Sequence, residues 1–300
     1  RSVMIPAIVP NEKLEGGQFQ LSYRGNALQL KGDARLNGLP SQIEWRSDGD
    51  KPSVATIRAT LDEAQRQRRG IDLKPMLTGP VIATVSATFE KNKPPDIDVG
   101  IDLTPARVEG LPPGFIKRAG QTSRASFDYA QRGERIVLDD FSLDLGPVAL
   151  RGKVELGKDG ALQKAEFEQF RLSPGDNARA TLEKQRNTTR VNVRGNSFDL
   201  RPFLRGVQSG KIDEAKTPDV DLDIQATVLV GFSSELITAG EIQAQRRNGA
   251  LAKLTAKGQF GPAPLQVETI ESQTRDSLLL RIGTNDGGAL LRFLEIGRAS

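Results

Sequence analysis

The sequence predicts an all-β fold with a few short helices, built as a repeating antiparallel sheet. Three observations predict it: apolar and polar residues alternate with a period of two, hairpin-type turn signals recur at short intervals, and two sequence blocks return in the same order.

The alternation comes first, because successive side chains of an extended strand point to opposite faces. In Asp96–Leu103, the residues Ile97, Val99, Ile101 and Leu103 share one face and Asp96, Asp98 and Asp102 the other. Val81, Ala83, Val85, Ala87 and Phe89 stand in the same way against Ile82, Thr84, Ser86 and Thr88. The pattern returns at Phe141, Leu143 and Leu145, at Val191 and Val193, and at Leu222, Ile224, Ala226 and Val228.

Turn signals separate these runs: Asn37-Gly38, Ser47-Asp48-Gly49, Arg132-Gly133, Lys158-Asp159-Gly160 and Asn248-Gly249. Residues of this kind close hairpins, so consecutive strands are expected often to pair antiparallel. A βαβ arrangement would need amphipathic helices between strands, and Ala59–Arg69 is the one segment that invites that reading. It reads equally well as a strand, Arg58–Asp62, leading into a polar turn.

The recurring blocks suggest repeats. Arg58-Ala-Thr-Leu-Asp-Glu-Ala-Gln-Arg66 returns as Arg179-Ala-Thr-Leu-Glu-Lys-Gln-Arg186. Downstream, Ile71-Asp-Leu-Lys-Pro-Met-Leu-Thr-Gly79 returns as Phe198-Asp-Leu-Arg-Pro-Phe-Leu-Arg-Gly206, and Asn285–Leu294 is a weaker third copy. Approximate repeats are therefore expected at 1–80, 81–206 and 207–300. Each would end its strands in a short helix or loop opening at Asp72, Asp199 or Asp286, since Asp suits a helix N-cap and Pro is tolerated in a first turn. Glu109–Gly114 and Gly210–Pro218 read as loops or joints. The closing residues Leu290–Ser300 read as a helix cut short, as in a piece of a longer protein.

Composition narrows the chemistry. The chain has no His and no Cys, which removes imidazole acid–base work, a Ser-His-Asp triad, thiolate metal sites and disulfides. No phosphate-binding glycine loop is present. Asp96, Asp98 and Asp102 lie in line along a strand instead of converging in a calcium-type loop, which reads as a solvated face. Asp139, Asp140 and Asp144 are the acids from which a carboxylate hydrolase would have to be built. No catalytic residue, metal site or cofactor is therefore expected. The net charge of +4 is spread along the chain, and Arg66, Arg68 and Arg69 read as a solvated turn, so no nucleic-acid footprint is expected. No apolar run of about 18 residues is present, and Pro6 and Pro10 interrupt the amino end as a signal peptide.

What remains is the apolar face. It is either the core of a closed sandwich or barrel, or the lining of a trough that stays open to acyl chains. Aromatic residues make up only 5% of the chain, which suits an open channel of aliphatic side chains. The candidate lining is Val81, Val85, Phe89, Ile97, Val99, Ile101, Leu222, Ile224 and Val228.

Three segments carry a resemblance. They are Asn248–Pro262, ending in Gly258-Gln-Phe-Gly-Pro262; Phe198-Asp-Leu-Arg-Pro-Phe-Leu204; and Asn285-Asp-Gly-Gly-Ala-Leu-Leu-Arg-Phe-Leu-Glu-Ile296, with Gly287 where Ala is usual. With them the chain resembles the AsmA-like proteins, the group of AsmA, TamB and YhdP, and most of all the middle or carboxyl-terminal region of a YhdP-type protein. The resemblance implies an elongated β-groove, periplasmic and attached to the inner membrane by an anchor missing from this chain. It further implies phospholipid acyl chains as cargo passing towards the outer membrane, with envelope proteins as possible partners. The alternative is an envelope scaffold or assembly module with a closed β core.

Overall fold

The computed structural model describes residues 3–4, 13–49, 51–208, 219–270 and 279–296. The amino-terminal stretch apart from Val3 and Met4, the Gly210–Pro218 joint and the last residues, 297–300, lie outside these, and the expectations placed on them lie outside the described residues too. The chain forms two compact units, the first made of Arg1–Val108, Lys117–Gly146 and Glu155–Ala161, the second of Glu109–Ile116, Pro147–Val154 and Leu162–Ser300. Strands dominate both, and the all-β expectation holds.

In the first unit β1 (Val3–Met4), β2 (Lys13–Arg24), β3 (Ala27–Leu36), β4 (Leu39–Asp48) and β5 (Ser53–Leu61) form an antiparallel meander. Asn37 and Gly38, at φ 45° and 77°, make the mirror-image turn between β3 and β4 that the Asn-Gly pair predicts. The chain leaves the sheet through helix α1 (Glu63–Arg68) and the two-residue β6 (Leu77–Thr78), then returns as β7 (Val81–Phe89) antiparallel to β5. β8 (Asp96–Asp102) follows on β7. After β9 (Arg107–Glu109), which pairs with β6, and β10 (Ile116–Lys117), strand β11 (Arg124–Arg132) joins the free side of β8 and β12 (Arg135–Asp144) joins β11.

Segment Ala59–Arg69 thus holds both of its readings, a strand to Leu61 and a helix from Glu63. Asp62 caps the helix by accepting the Gln65 N–H, and Gln65 returns the bond to the Asp62 N–H. The expected solvated arginine turn is a correction. Arg66 is buried and its guanidinium donates to the Leu61, Leu77 and Gly79 carbonyls, while Arg69 reaches the Leu36 carbonyl. Strand ends leave carbonyls that have lost their ladder partners, and a planar guanidinium can satisfy several at once. Lys117 does similar work. Its side chain is 1% exposed, and Nζ donates to the carbonyls of Leu103, Thr104 and Ala106 at 2.5, 3.1 and 2.7 Å. Burial pulls this amine below the ordinary lysine value, with Asp102 acting the other way.

Strand β13 (Ala149–Gly157) has its first residues in the second unit, which continues with β14 (Leu162–Arg171), β15 (Asn177–Gln185) and β16 (Thr188–Asp199). β14 to β16 are antiparallel. Helix α2 (Arg201–Gln208) follows, and then β17 (Asp219–Val230) lies parallel to β16 along its whole length. This pair is an exception within a largely antiparallel sheet, and its crossover carrying a helix was not read from the sequence. β18 (Leu236–Arg247), β19 (Ala250–Phe260), β20 (Ala263–Ile270) and β21 (Leu279–Thr284) resume the antiparallel meander, and α3 (Gly287–Phe293) closes the described chain with Asp286 as its N-cap.

Both α2 and α3 seat aromatic side chains at the end of the second unit's sheet. Phe203 of α2 meets Phe198, which stacks on Phe170 and through it on Phe167. Phe293 of α3 meets Phe260 edge to face and covers Gly231, where any Cβ would collide with the ring. The helices therefore finish a core that the strands alone leave open at this end. No helix among the described residues is long and apolar enough to cross a membrane.

Candidate functional site

Register decides which of the alternating side chains meet. In the first unit one cross-strand row runs Phe19, Gly32, Ile43, Ile57, Val85, Val99 and Phe127, each directly opposite the next. A second runs Leu21, Leu30, Trp45, Ala55, Ala87, Ile97 and Tyr129, and Ile101 lies between Ala83 and Ala125 in a third. Residues directly opposite share a face and lie within side-chain contact. The structure therefore brings Val85, Ile97, Val99 and Ile101 together on one surface. Phe89 and Ile97 pack against a buried cluster of Ala34, Leu36, Ile43, Ala55, Ile57 and Ala87, while Val81 is buried at the Leu61 end.

The second unit has its own rows. Phe167, Ala180, Val193, Ile224, Ile242, Ala256, Val267 and Ile282 stand opposite one another from β14 to β21. Leu222 belongs to a neighbouring row between Val191 and Ala244, and Val228 lies between Ser197 and Thr238.

Burial separates the candidates. Val81 and Ile224 are buried, whereas Val85, Phe89, Ile97, Val99, Ile101, Leu222 and Val228 are only partly buried. The rows also reach further than the nine residues. On β2, Phe19 is exposed and Leu21 and Tyr23 are 63% and 69% exposed, and Leu280 and Ile282 on β21 are exposed as well. Alternation in Gln18–Tyr23 carried the signal for the β2 residues, but only pairing shows that Phe19 extends the Val85 row and Leu21 the Ile97 row.

The opposite face is polar. Gln20, Lys31, Glu44, Thr56 and Ser86 form an in-register row that continues into Asp98, Asp128 and Asp139. A recess of about 710 Å³ opens on this face, lined by Lys31, Asp33, Glu44, Thr56 and Arg58 among others. Glu44 accepts from Gln29 and Arg46, and the Gln29 bond is the larger reason its carboxyl lies below the ordinary value. Asp128 is pushed up by burial and then by Asp98 opposite it, an arrangement of like charges.

Three of the carboxylates considered for chemistry have partners of their own. Asp102 accepts the Thr104 N–H and Asp144 the Gly146 N–H, both closing turns, and Asp139 pairs with Arg132. Among the described residues no group of acids is placed to hold a metal ion.

Of two buried carboxylates, Asp176 escaped the sequence reading, and Asp199 was read only as the opening of a helix or loop. Asp176 accepts the N–H groups of Leu172, Ser173 and Asp199, and Asp199 accepts the Arg201 N–H and its guanidinium. Burial pushes Asp176 up; for Asp199 burial acts the same way, but the Arg201 hydrogen bonds outweigh it and hold the carboxyl below its ordinary value. Together they fix the β14–β15 turn to the β16–α2 junction.

No protein-family model, curated protein or solved structure matches the chain.

Proposed function

We propose that this chain is a segment of a non-enzymatic lipid conduit of the AsmA-like kind, carrying phospholipid between inner and outer membrane with acyl chains against its apolar face. The observation that carries this reading is the incomplete burial of Val85, Ile97, Val99, Ile101 and Leu222 although they share aligned apolar rows. In a closed core, aliphatic side chains at such positions would be buried. Shielding acyl chains from water is worth about 25 cal/mol per Å² of apolar surface, which a lined face supplies in large part. Headgroups would stay in water, and direction would come from elsewhere in the envelope. The setting is periplasmic, with the membrane anchor on another part of the protein.

The buried cluster around Ile43, Ile57 and Ala87 favours a second reading, an envelope scaffold with a closed core. Photoreactive residues at Val99 and Leu222, with Thr84 on the polar face as control, separate the two. The conduit predicts phospholipid adducts at the partly exposed Val99 and Leu222 and none at Thr84, together with co-purifying lipid in native mass spectra. Protein without adducts at either position, extracted from membranes, is the scaffold result.

A further inference from the structure

The loop between α1 and β6 is built against the usual logic of a surface. Ile71, Asp72, Leu73, Lys74, Pro75 and Met76 are six consecutive exposed residues, and the three large apolar ones among them are 46%, 46% and 47% exposed. Single exposed hydrophobics need no explanation, but a cluster at a loop tip does.

The counterpart block sharpens the point. Ile71, Leu73 and Met76 correspond to Phe198, Leu200 and Phe203, where Phe198 and Leu200 are buried and Phe203 is partly buried against the Phe198 ring. The same spacing therefore serves a core in one place and faces outward in the other.

The loop is also held in shape. Ile71 N–H donates to the Arg66 carbonyl, Leu77 N–H to the Leu73 carbonyl, and Lys74 N–H to the Asp72 carboxylate. Glu63 accepts the Gly79 N–H and pairs with the Lys74 ammonium at 2.5 Å. Its apolar tip is thus presented and not merely loose.

We propose that this tip is a membrane contact, inserting Ile71, Leu73 and Met76 into the surface of a phospholipid bilayer. Three half-exposed aliphatic side chains offer far less than the roughly 800 Å² per partner that a stable protein interface buries. A bilayer asks for less, since a small apolar tip with cations beside it gains from both acyl chains and anionic headgroups. Arg68 is the exposed cation beside the tip; Lys74 is exposed too but paired with Glu63, and Asp72 is an exposed acid of the same loop. This contact does not depend on the conduit reading, because it concerns a loop tip outside the apolar rows.

The test exploits the absence of cysteine, which lets Leu73→Cys in the full chain carry one environment-sensitive fluorophore. Vesicles of phosphatidylethanolamine with phosphatidylglycerol should shift its emission to the blue, and the same label at Leu251→Cys, exposed on β19, should not move. In flotation with these vesicles, I71Q/L73Q/M76Q should bind about tenfold more weakly or worse than the parent, with an unchanged circular dichroism spectrum showing that it folds. Phosphatidylcholine vesicles should bind the parent less than the anionic ones. An unshifted Leu73 label, an equal shift at Leu251, or undiminished flotation of the triple variant overturns the proposal. A lipid adduct at Val99 bears only on the conduit, so the two readings fail separately.

Discussion

Ile71–Gly79 and Phe198–Gly206 share an Asp-Leu pair, a basic residue and a proline, yet the two blocks end in different structures. Both begin alike: Asp72 accepts the Lys74 N–H and Asp199 accepts the Arg201 N–H, the same contact two residues on. From there the first remains an exposed loop leading to β7, which returns antiparallel on β5. The second enters α2 and leads to β17, parallel to β16. The cause lies upstream. The Arg58 block runs straight into α1 and its loop, whereas the Arg179 block is followed by a hairpin turn at Arg186, φ 55°, that inserts β16 before the Asp. An added strand reverses the direction in which the chain reaches the motif. A local motif sets a local turn, and the count of strands before it sets the topology.

The strongest way to break this comparison is to truncate the packed aromatic. Phe198→Ala removes a ring that is 2% exposed and contacts both Phe170 and Phe203, and should cost about 3–5 kcal/mol in urea unfolding. Ile71→Ala at the matching position should stay within about 0.5 kcal/mol. Equal losses would mean that the two blocks are packed alike after all.

Arg66→Met tests the other side. It leaves the Gly79, Leu61 and Leu77 carbonyls without their guanidinium donor and should destabilise by about 1–3 kcal/mol in the same assay. Arg68→Met, at an exposed position of the same helix, should change little.

A smaller effect concerns acid. The folded-state value of Asp199 lies below the ordinary 3.8, so its contribution is present above that pH and is lost as pH falls through the depressed value. Asp199→Asn should flatten this part of the thermal stability profile against pH. An unchanged acid limb in Asp199→Asn would remove the Arg201 contact as its cause.

Much of the fold was legible. Alternation in Val81–Phe89, Asp96–Leu103 and Leu222–Val228 placed β7, β8 and β17, and Asn37-Gly38 placed the β3–β4 turn, because period and turn chemistry are local properties. The parallel β16–β17 pair was not, since nothing local tells a strand which way its neighbour runs. Nor was the inward turn of Arg66, which depends on carbonyls contributed by Leu61, Leu77 and Gly79. For the candidate face, parity told which side Val99 and Ile224 occupy; their neighbours, and the buried state of one against the partial exposure of the other, came from register across strands.

Lys117 has a practical consequence. Amine reagents attack the neutral form, which a depressed lysine value favours, but this amine is enclosed by the three carbonyls it serves. In the native protein it should stay silent while exposed Lys91 and Lys158 label readily. Its labelling rate would then clock how often the segment from Leu103 to Ser123 opens, making one buried ammonium a built-in gauge of local unfolding in the first unit.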